Sequence, residues 1–272
     1  MILIIASNKD PASINIKNQI INLYNFEKTN EMFHENLVFQ KNVESRTVKL
    51  VTVNTELVNT QDITSHFAPT LIIFISRHSS QSGTPTLSVH TPGNLTDQTE
   101  KGGLPNQISI SPASAMKEAL REMQFQKEEK QLAYKVSYEC THHGPSLNTP
   151  AMFTELGSTP KQWNDQKAAA AIAHATIAAT KTYTFYPAAI GIGGPHYNEK
   201  FTKIALTTPT AFGHIIPKYL ASKIDANMLK QCAEKTVEKI EHVLLDWKGI
   251  KSEDKEKLVK AINTAGLKME KV

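Results

Sequence analysis

Cysteine is scarce in this chain of 272 residues, which contains only Cys140 and Cys232. Two cysteines so far apart do not provide a disulfide framework, so we expect a reducing compartment, by default the cytoplasm. Long apolar runs are also lacking. The apolar segment 1–6 is far shorter than the roughly 20 residues of a membrane span and has no basic leader. We therefore expect a buried first strand and no membrane association.

Several catalytic and nucleotide-binding motifs are missing as well. The chain has no Gly-x-Ser-x-Gly elbow and no Gly-Lys-Ser/Thr of a P-loop, and the glycine-rich segment 191–194 lacks the spacing of a dinucleotide fingerprint. We therefore favour direct attack by water over an acyl-enzyme.

A large excess of one charge is missing too. Against 26 Asp and Glu residues, 30 Lys and Arg residues leave a net charge of only +4, which identifies no polyanionic partner.

Apolar runs that alternate with amphipathic stretches predict an α/β fold, three-layer α/β/α, with a mostly parallel or mixed central sheet. Strands are predicted at Ile2 to Ala6, Val48 to Val53, Leu71 to Ile75, Tyr134 to Tyr138, Ala188 to Ile192 and Lys203 to Leu206. Helices are predicted at Pro11 to Tyr24 and Pro112 to Phe125, with Asp10 and Ser111 as N-caps, and at Gln166 to Tyr183, Ala226 to Leu245 and Glu253 to Asn263. We expect one domain over residues 1–272, with a functional loop near 77–107 and a helical C-terminal part.

Histidines recur beside glycine and proline where predicted strands end. The most informative segment is Glu139-Cys140-Thr141-His142-His143-Gly144-Pro145-Ser146. Four further blocks, 76–80, 88–94, 191–197 and 212–217, carry His78, His90, His196 and His214. A lone histidine in a loop is usually a structural hydrogen-bonding residue. The repeated context instead predicts a convergent imidazole cluster, as a metal site or an acid–base centre requires.

These blocks, in this order from about Ile72 to Tyr219, resemble the archaeal and plant family of metal-dependent D-aminoacyl-tRNA deacylases. The resemblance implies a phosphorylase/hydrolase-like fold and hydrolysis of the ester between a D-amino acid and tRNA, which is chiral proofreading. It also implies zinc, as one or two ions, and the aminoacylated tRNA 3′ end as the partner. We expect a monomer with no obligate protein partner.

Zinc in catalytic sites takes three protein ligands and leaves a position for water. The expected metal ligands are His78, His90, His142 and His196, and the expected catalytic residues are His142, His143, Glu139 and Glu155. The two glutamates either complete the coordination or act as a general base. Adjacent strand residues point to opposite faces, so His142 and His143 can share one metal only if the following Gly-Pro turn redirects one of them.

Expected substrate contacts are Gly193, Gly194, Tyr197, Phe153 and Trp163. Glycine amides can approach the terminal adenosine or an oxyanion closely. The aromatic rings either stack on a base or an aminoacyl group, or pack beneath the loop. Cys140, beside His142, could be a metal ligand, but its position at a strand end favours a small buried hydrophobe. Two alternative functions remain open: a zinc aminopeptidase or amidase, and a non-catalytic module that binds the tRNA 3′ end.

Overall fold

The computed structural model describes residues 1–181 and 184–272, whose strands form two sheets. The strands are β1 (Ile2–Ser7), β2 (Glu27–Phe33), β3 (Asn36–Val43), β4 (Arg46–Val53), β5 (Leu71–Arg77), β6 (Thr86–His90), β7 (Lys135–Tyr138), β8 (Ala151–Gly157), β9 (Ala188–Ile192), β10 (Ala211–Ile216), β11 (Ile240–Leu245) and β12 (Met269–Lys271). The helices are α1 (Pro11–Tyr24), α2 (Ile63–His66), α3 (Ala113–Glu129), α4 (Pro160–Trp163), α5 (Gln166–Thr180), α6 (Glu199–Thr207), α7 (Ala226–Glu234) and α8 (Ser252–Thr264).

The larger sheet is mixed, which confirms an α/β fold with a mixed central sheet. Its eight strands run in the order β2-β3-β4-β1-β5-β8-β6-β7. Strands β4, β1, β5 and β8 are parallel to one another, whereas β6 runs antiparallel to β8, and β3 runs antiparallel to both β4 and β2. The smaller sheet, β10-β9-β11-β12, is parallel throughout.

The two faces of the larger sheet are covered differently. Helices α1, α3 and α5 pack on one face through a large apolar cluster that includes Ile4, Ile73 and Ile172. The opposite face carries a smaller apolar cluster around Phe74 and Phe153, to which the short helix α2 contributes. This second face therefore leaves room for polar side chains. Within the described ranges, no helix combines the length and apolar character needed to cross a membrane.

The predicted N-cap of α1 is confirmed and that of α3 is wrong. Asp10 caps α1 by accepting a hydrogen bond from the Ser13 amide at 2.9 Å. Ser111 does not cap α3. Instead the carboxylate of Glu238, far away in sequence, accepts hydrogen bonds from the amides of Ala113 and Ser114 at 3.0 and 2.8 Å. A local sequence pattern cannot indicate a cap that comes from a distant segment.

Two other predicted elements are wrong. The predicted strand Lys203 to Leu206 lies in α6, because Asn198 caps a helix whose buried residues, Phe201 and Ala205, are four positions apart. The predicted helix Ala226 to Leu245 ends at Glu234, and its last part is strand β11, which pairs with β9 and β12. Short apolar runs fit a helix or a buried strand equally well. The other predicted strands and helices are confirmed within a few residues at their ends, and Thr182 and Tyr183 of the predicted Gln166 to Tyr183 helix lie outside the described residues.

The segment after β7 joins the two sheets. The Cys140 amide donates to the His196 carbonyl oxygen at 3.0 Å, and the Thr141 amide donates to the Ile215 carbonyl oxygen at 2.9 Å. The buried ring of His214 completes this seam: its Nε2–H donates to the Lys235 carbonyl oxygen at 3.0 Å, and its Nδ1 accepts from the Thr141 hydroxyl at 3.1 Å. Burial lowers the pKa of His214 to about 4. The seam therefore depends on a neutral imidazole.

We expect His214→Gln to make stability less sensitive to acid, because glutamine can donate and accept at the same places without titrating. In the unfolded chain His214 takes up a proton near its ordinary pKa of about 6.5, but in the folded chain only near pH 4. The stability that the neutral His214 ring contributes is therefore fully present above pH 6.5 and is lost as the pH falls toward 4. Between about pH 7 and about pH 5, the free energy of unfolding in urea should decrease by about 2 kcal/mol less in the variant than in the wild type.

The control for this comparison is His242→Gln, at an exposed position of β11. Equal acid dependence in the wild type and in His214→Gln would contradict the role assigned to the buried ring.

Candidate active site

Polar side chains from neighbouring strands converge on one face of the larger sheet. Glu155 of β8 is the register partner of Ser76 of β5, and β6, on the other side of β8, ends at His90. Side chains two residues apart share a face of a strand, so His78, just beyond β5, lies on the same side as Ser76. Glu139 follows β7 directly. Four strands thus deliver imidazoles and carboxylates to one place.

A buried carboxylate, that of Glu139, lies at the centre of this group. Its Oε1 lies 3.2 Å from Nδ1 of His78, and its Oε2 lies 3.0 Å from Nε2 of His196 and 3.7 Å from Nε2 of His142. Glu155 approaches the same His78 Nδ1 at 3.4 Å through Oε2. The other oxygen of Glu155 accepts a hydrogen bond from the Ser76 hydroxyl at 2.6 Å. His78 therefore bridges two carboxylates.

These contacts set the charge states. Burial disfavours an imidazolium at His78, but the two carboxylates outweigh it and raise the pKa of His78 to about 11. Burial likewise opposes ionisation of Glu139, but His78 and His196 hold the pKa of Glu139 well below its ordinary value. Burial, together with the charge of Glu139, raises the pKa of Glu155 to about 7. At neutral pH the centre therefore contains a protonated His78, an ionised Glu139 and a Glu155 close to its midpoint.

Three further imidazoles, His90, His142 and His143, lie side by side. Their ring centroids are 4.3 to 4.9 Å apart. His143 adopts a φ of 42°, so the turn at Gly144 does redirect one of the two adjacent rings. Nδ1–H of His142 donates to the Cys140 carbonyl oxygen, and Nδ1–H of His143 donates to the Gly144 carbonyl oxygen, both at 2.8 Å. Each Nε2 lone pair is thereby left free.

Burial keeps these three rings neutral. It lowers the pKa of His143 to about 4 and holds the pKa values of His90 and His142 well below the ordinary value. The ring of His90 stacks on Phe153 with centroids 5.1 Å apart. Among the residues that the structure describes, neither ring nitrogen of His90 has a hydrogen-bond partner, although the side chain is buried. An unpaired buried nitrogen is costly, so it requires an explanation.

Two clefts meet at the rings of His142 and His143, and both are lined by Glu100, Lys101, His142, His143 and His196. The sheet cleft, of about 530 Å³, extends over Leu57, Val58, Phe153, Glu155 and Tyr197. The outer cleft, of about 400 Å³, extends over Asn94, Thr96, Gln98, Tyr219 and Leu220. The site is thus open on two sides.

At two glycines beside the site, Gly144 and Gly157, another segment passes so close that no side chain would fit. A Cβ atom on Gly144 would lie 2.1 Å from the Gly103 amide nitrogen, so the segment that carries Lys101 can cross directly over the His142-His143 turn. A Cβ atom on Gly157 would lie 2.7 Å from Cβ of His78. Any side chain at Gly157 would therefore displace the ring that bridges the carboxylates.

The five expected substrate-contact residues lie in three separate places. Phe153 and Tyr197 line the sheet cleft, and the Tyr197 hydroxyl lies 2.6 Å from Nε2 of His78, whose proton it accepts. The indole N–H of Trp163 donates to the His78 carbonyl oxygen at 2.8 Å, so this residue supports the backbone beside the cluster. The turn at Gly193 and Gly194 packs against Asp246 and Asn198. Its position indicates a role in orienting the segment that carries His196.

Three residues of the site were not singled out from the sequence. Ser76 could have been found from its alternation with His78 along β5. Lys101 and Tyr219 carry no such signal, because their place beside the histidines depends on how the segment around Gly103 and the second sheet pack. Cys140 is buried and unpaired, and burial raises the pKa of its thiol, as expected for a small buried hydrophobe.

Comparison with known proteins places the chain in a family. The sequence model of "D-aminoacyl-tRNA deacylase" matches residues 65–270. The D-aminoacyl-tRNA deacylase of Thermococcus onnurineus is 36% identical over 265 residues, which cover 94% of each chain. That of Methanosarcina barkeri is 36% identical over 274 residues, covering 98% of this chain and 88% of the relative. A crystal structure of a conserved protein of unknown function is 28% identical, with a TM-score of 0.87 over 100% of this chain and 95% of the other. The chain therefore belongs to the D-aminoacyl-tRNA deacylase family.

Proposed function

We propose that this protein hydrolyses the ester that joins a D-amino acid to the 3′-terminal adenosine of tRNA, using zinc held by the histidine cluster. The observation that carries the proposal is the meeting of two clefts at neutral imidazoles beside an ionised buried carboxylate. Family membership supports the substrate class, because the relatives are named for this reaction. Two unpaired buried cysteines support action in the reducing cytoplasm.

The residues of the cluster fit a zinc ion. Ligand atoms of His90, His142 and His143 lie within 4.8 Å of one another, and those of Glu139, His142 and His196 form a second such group. Burial keeps the rings of His90, His142 and His143 neutral, which is the form that binds metal. His142 and His143 also donate Nδ1–H to backbone carbonyls, the usual support of a metal-binding histidine. A metal ion would also account for one of the two unpaired nitrogens of His90. His78 fits the ligand role less well, because both of its ring nitrogens are engaged.

Zinc bound there supplies Lewis acidity and lowers the pKa of bound water to about 7. The chain itself supplies proton acceptance. Glu155 has the pKa of an effective general base near neutral pH, and it lines the sheet cleft with its Oε2 beside Nδ1 of His78. His78 stays protonated and so prevents repulsion between Glu155 and Glu139. Once protonated, Glu155 can return its proton to the departing ribose oxygen.

Discrimination against L-amino acids requires steric exclusion. Two mirror-image substituents have the same hydrophobicity, so attraction alone separates them poorly. The sheet cleft offers a rigid wall, because Phe153 is held between His90 and Phe74 by stacking contacts. We propose that this wall admits the D side chain and blocks the L side chain.

We expect the purified protein to contain at least one zinc ion per chain and His90→Ala to lose most of it. The reason is that His90 would give a ring nitrogen to the metal and has no other role for it. Elemental analysis measures the metal directly, and a strong chelator should abolish hydrolysis. His242→Ala, at an exposed position of β11, is the matched control. Fully active protein without a transition metal would refute the cofactor.

We expect Glu155→Gln to lower kcat by at least ~100-fold, the scale of general acid–base catalysis. In the wild type kcat should rise with pH through about 7, as Glu155 loses its proton. Ser76→Ala removes a hydrogen bond that stabilises the carboxylate, so it should move this rise to higher pH. The pH profiles of the three proteins test this. A Ser76→Ala profile that coincides with that of the wild type would argue against Glu155 as the base.

We expect D-tyrosyl-tRNA to be hydrolysed more than ~200-fold faster than L-tyrosyl-tRNA, beyond what a single methylene contact provides. The measurement is kcat/KM for both substrates and for an L-dipeptide, at two salt concentrations. A tRNA substrate should react more slowly at high salt because phosphate contacts are screened. Preference for the dipeptide would favour an aminopeptidase, and tRNA binding without any hydrolysis would favour a binding module.

A further inference from the structure

The outer cleft carries an exposed aromatic ring, that of Tyr219, beside the imidazoles. Tyr219 is 58% exposed, and its hydroxyl lies 3.4 Å from Nδ1 of His196. Throughout residues 1–181 and 184–272, no aromatic ring stacks on it. One edge of the ring is thus fixed beside the cluster, while much of its surface faces solvent.

The backbone holds Tyr219 rigidly. The residue lies in the 3-10 turn Lys218–Leu220, which directly follows β10. The Lys218 amide donates to the Gly194 carbonyl oxygen at 2.9 Å, and the Leu220 amide donates to the Pro217 carbonyl oxygen at 3.0 Å. Leu220 also packs against the apolar core of the second sheet. A rigid aromatic ring beside a cleft is suited to stacking, because little conformational freedom is lost on binding.

The chemistry of the two clefts differs. The sheet cleft has apolar walls at Leu57, Val58 and Phe153, which suit an amino-acid side chain. The outer cleft combines Tyr219 with the amide side chain of Gln98, the kind of group that pairs with N6 and N7 of adenine. Its volume of about 400 Å³ falls within the range of small-ligand sites.

The order of groups in the substrate assigns one end to each cleft. The ester lies between the amino acid and the terminal adenosine. An ester placed at the shared imidazoles, with the amino acid in the sheet cleft, directs the nucleoside into the outer cleft. We propose that the outer cleft binds the terminal adenine, stacked on Tyr219 and contacted at its N6/N7 edge by Gln98; this inference rests on the proposed function.

Binding of adenosine 5′-monophosphate (AMP), measured by calorimetry, tests this without any need for turnover. Stacking of a base on an aromatic side chain contributes about 1–3 kcal/mol, which corresponds to about 5- to 150-fold in affinity. We expect AMP to bind that much more weakly to Tyr219→Ala than to the wild type, and Tyr219→Phe to bind it nearly as well. Wild type that does not bind AMP at millimolar concentration, or equal binding by all three proteins, would overturn the proposal.

Guanosine 5′-monophosphate tests the contribution of Gln98. Guanine carries an oxygen acceptor where adenine carries an amino donor, so we expect the wild type to bind it more weakly than AMP. Equal binding of the two nucleotides would overturn the role of Gln98.

Kinetics on D-tyrosyl-tRNA give an independent readout. Tyr219→Ala should raise KM by about 5- to 150-fold and leave kcat largely intact, because the base lies away from the reacting ester. Phe185→Ala, which removes another exposed ring that lines neither cleft, is the matched control. A loss confined to kcat would show that Tyr219 acts through His196. If the wild type fails to hydrolyse the tRNA, the deacylase proposal fails, while AMP binding still decides the nucleotide site.

Discussion

The site depends on one buried negative charge, the carboxylate of Glu139. An isolated carboxylate in such a position would be strongly destabilised, and only its contacts with His78 and His196 keep it ionised. Those contacts fix the charge of the other groups. The imidazolium of His78 balances both glutamates, and Glu155, next to an ionised partner, retains a proton up to about pH 7. Because of this ion pair, Glu139 stays charged at neutral pH, whereas Glu155 can gain and lose a proton.

The topology of the larger sheet explains why these groups meet. Strand β8 is inserted between β5 and β6, so the ends of β5 and β6 lie on either side of it although β6 runs the opposite way. Alternation along each strand then delivers Ser76, His90 and Glu155 to the same face. The helices α1, α3 and α5 occupy the opposite face, which leaves this one accessible to a substrate.

The sequence was sufficient to predict the α/β class, most of the buried strands and the convergence of His78, His90, His142, His143 and His196. Those features follow from continuous apolar runs and from histidines at strand ends, which are local signals. The insertion of β8, the cap that Glu238 provides to α3 and the nature of β11 depend on contacts between distant segments. The hairpin β2–β3 was missed because β2 is mostly polar and exposed, and β3 is apolar over only half of its length. Tyr219 reaches the cluster only through the packing of the second sheet.

The seam between the two sheets has a consequence for the order of biosynthesis. Every strand of the larger sheet has been translated by Gly157, whereas His196 and Tyr219 emerge from the ribosome later, with the second sheet. A nascent chain that ends at Thr180 therefore contains Glu139 without the histidine that pairs with its Oε2 and without the backbone partners of Cys140 and Thr141. The cluster is therefore complete only when the C-terminal part has docked and has brought His196 to Oε2 of Glu139.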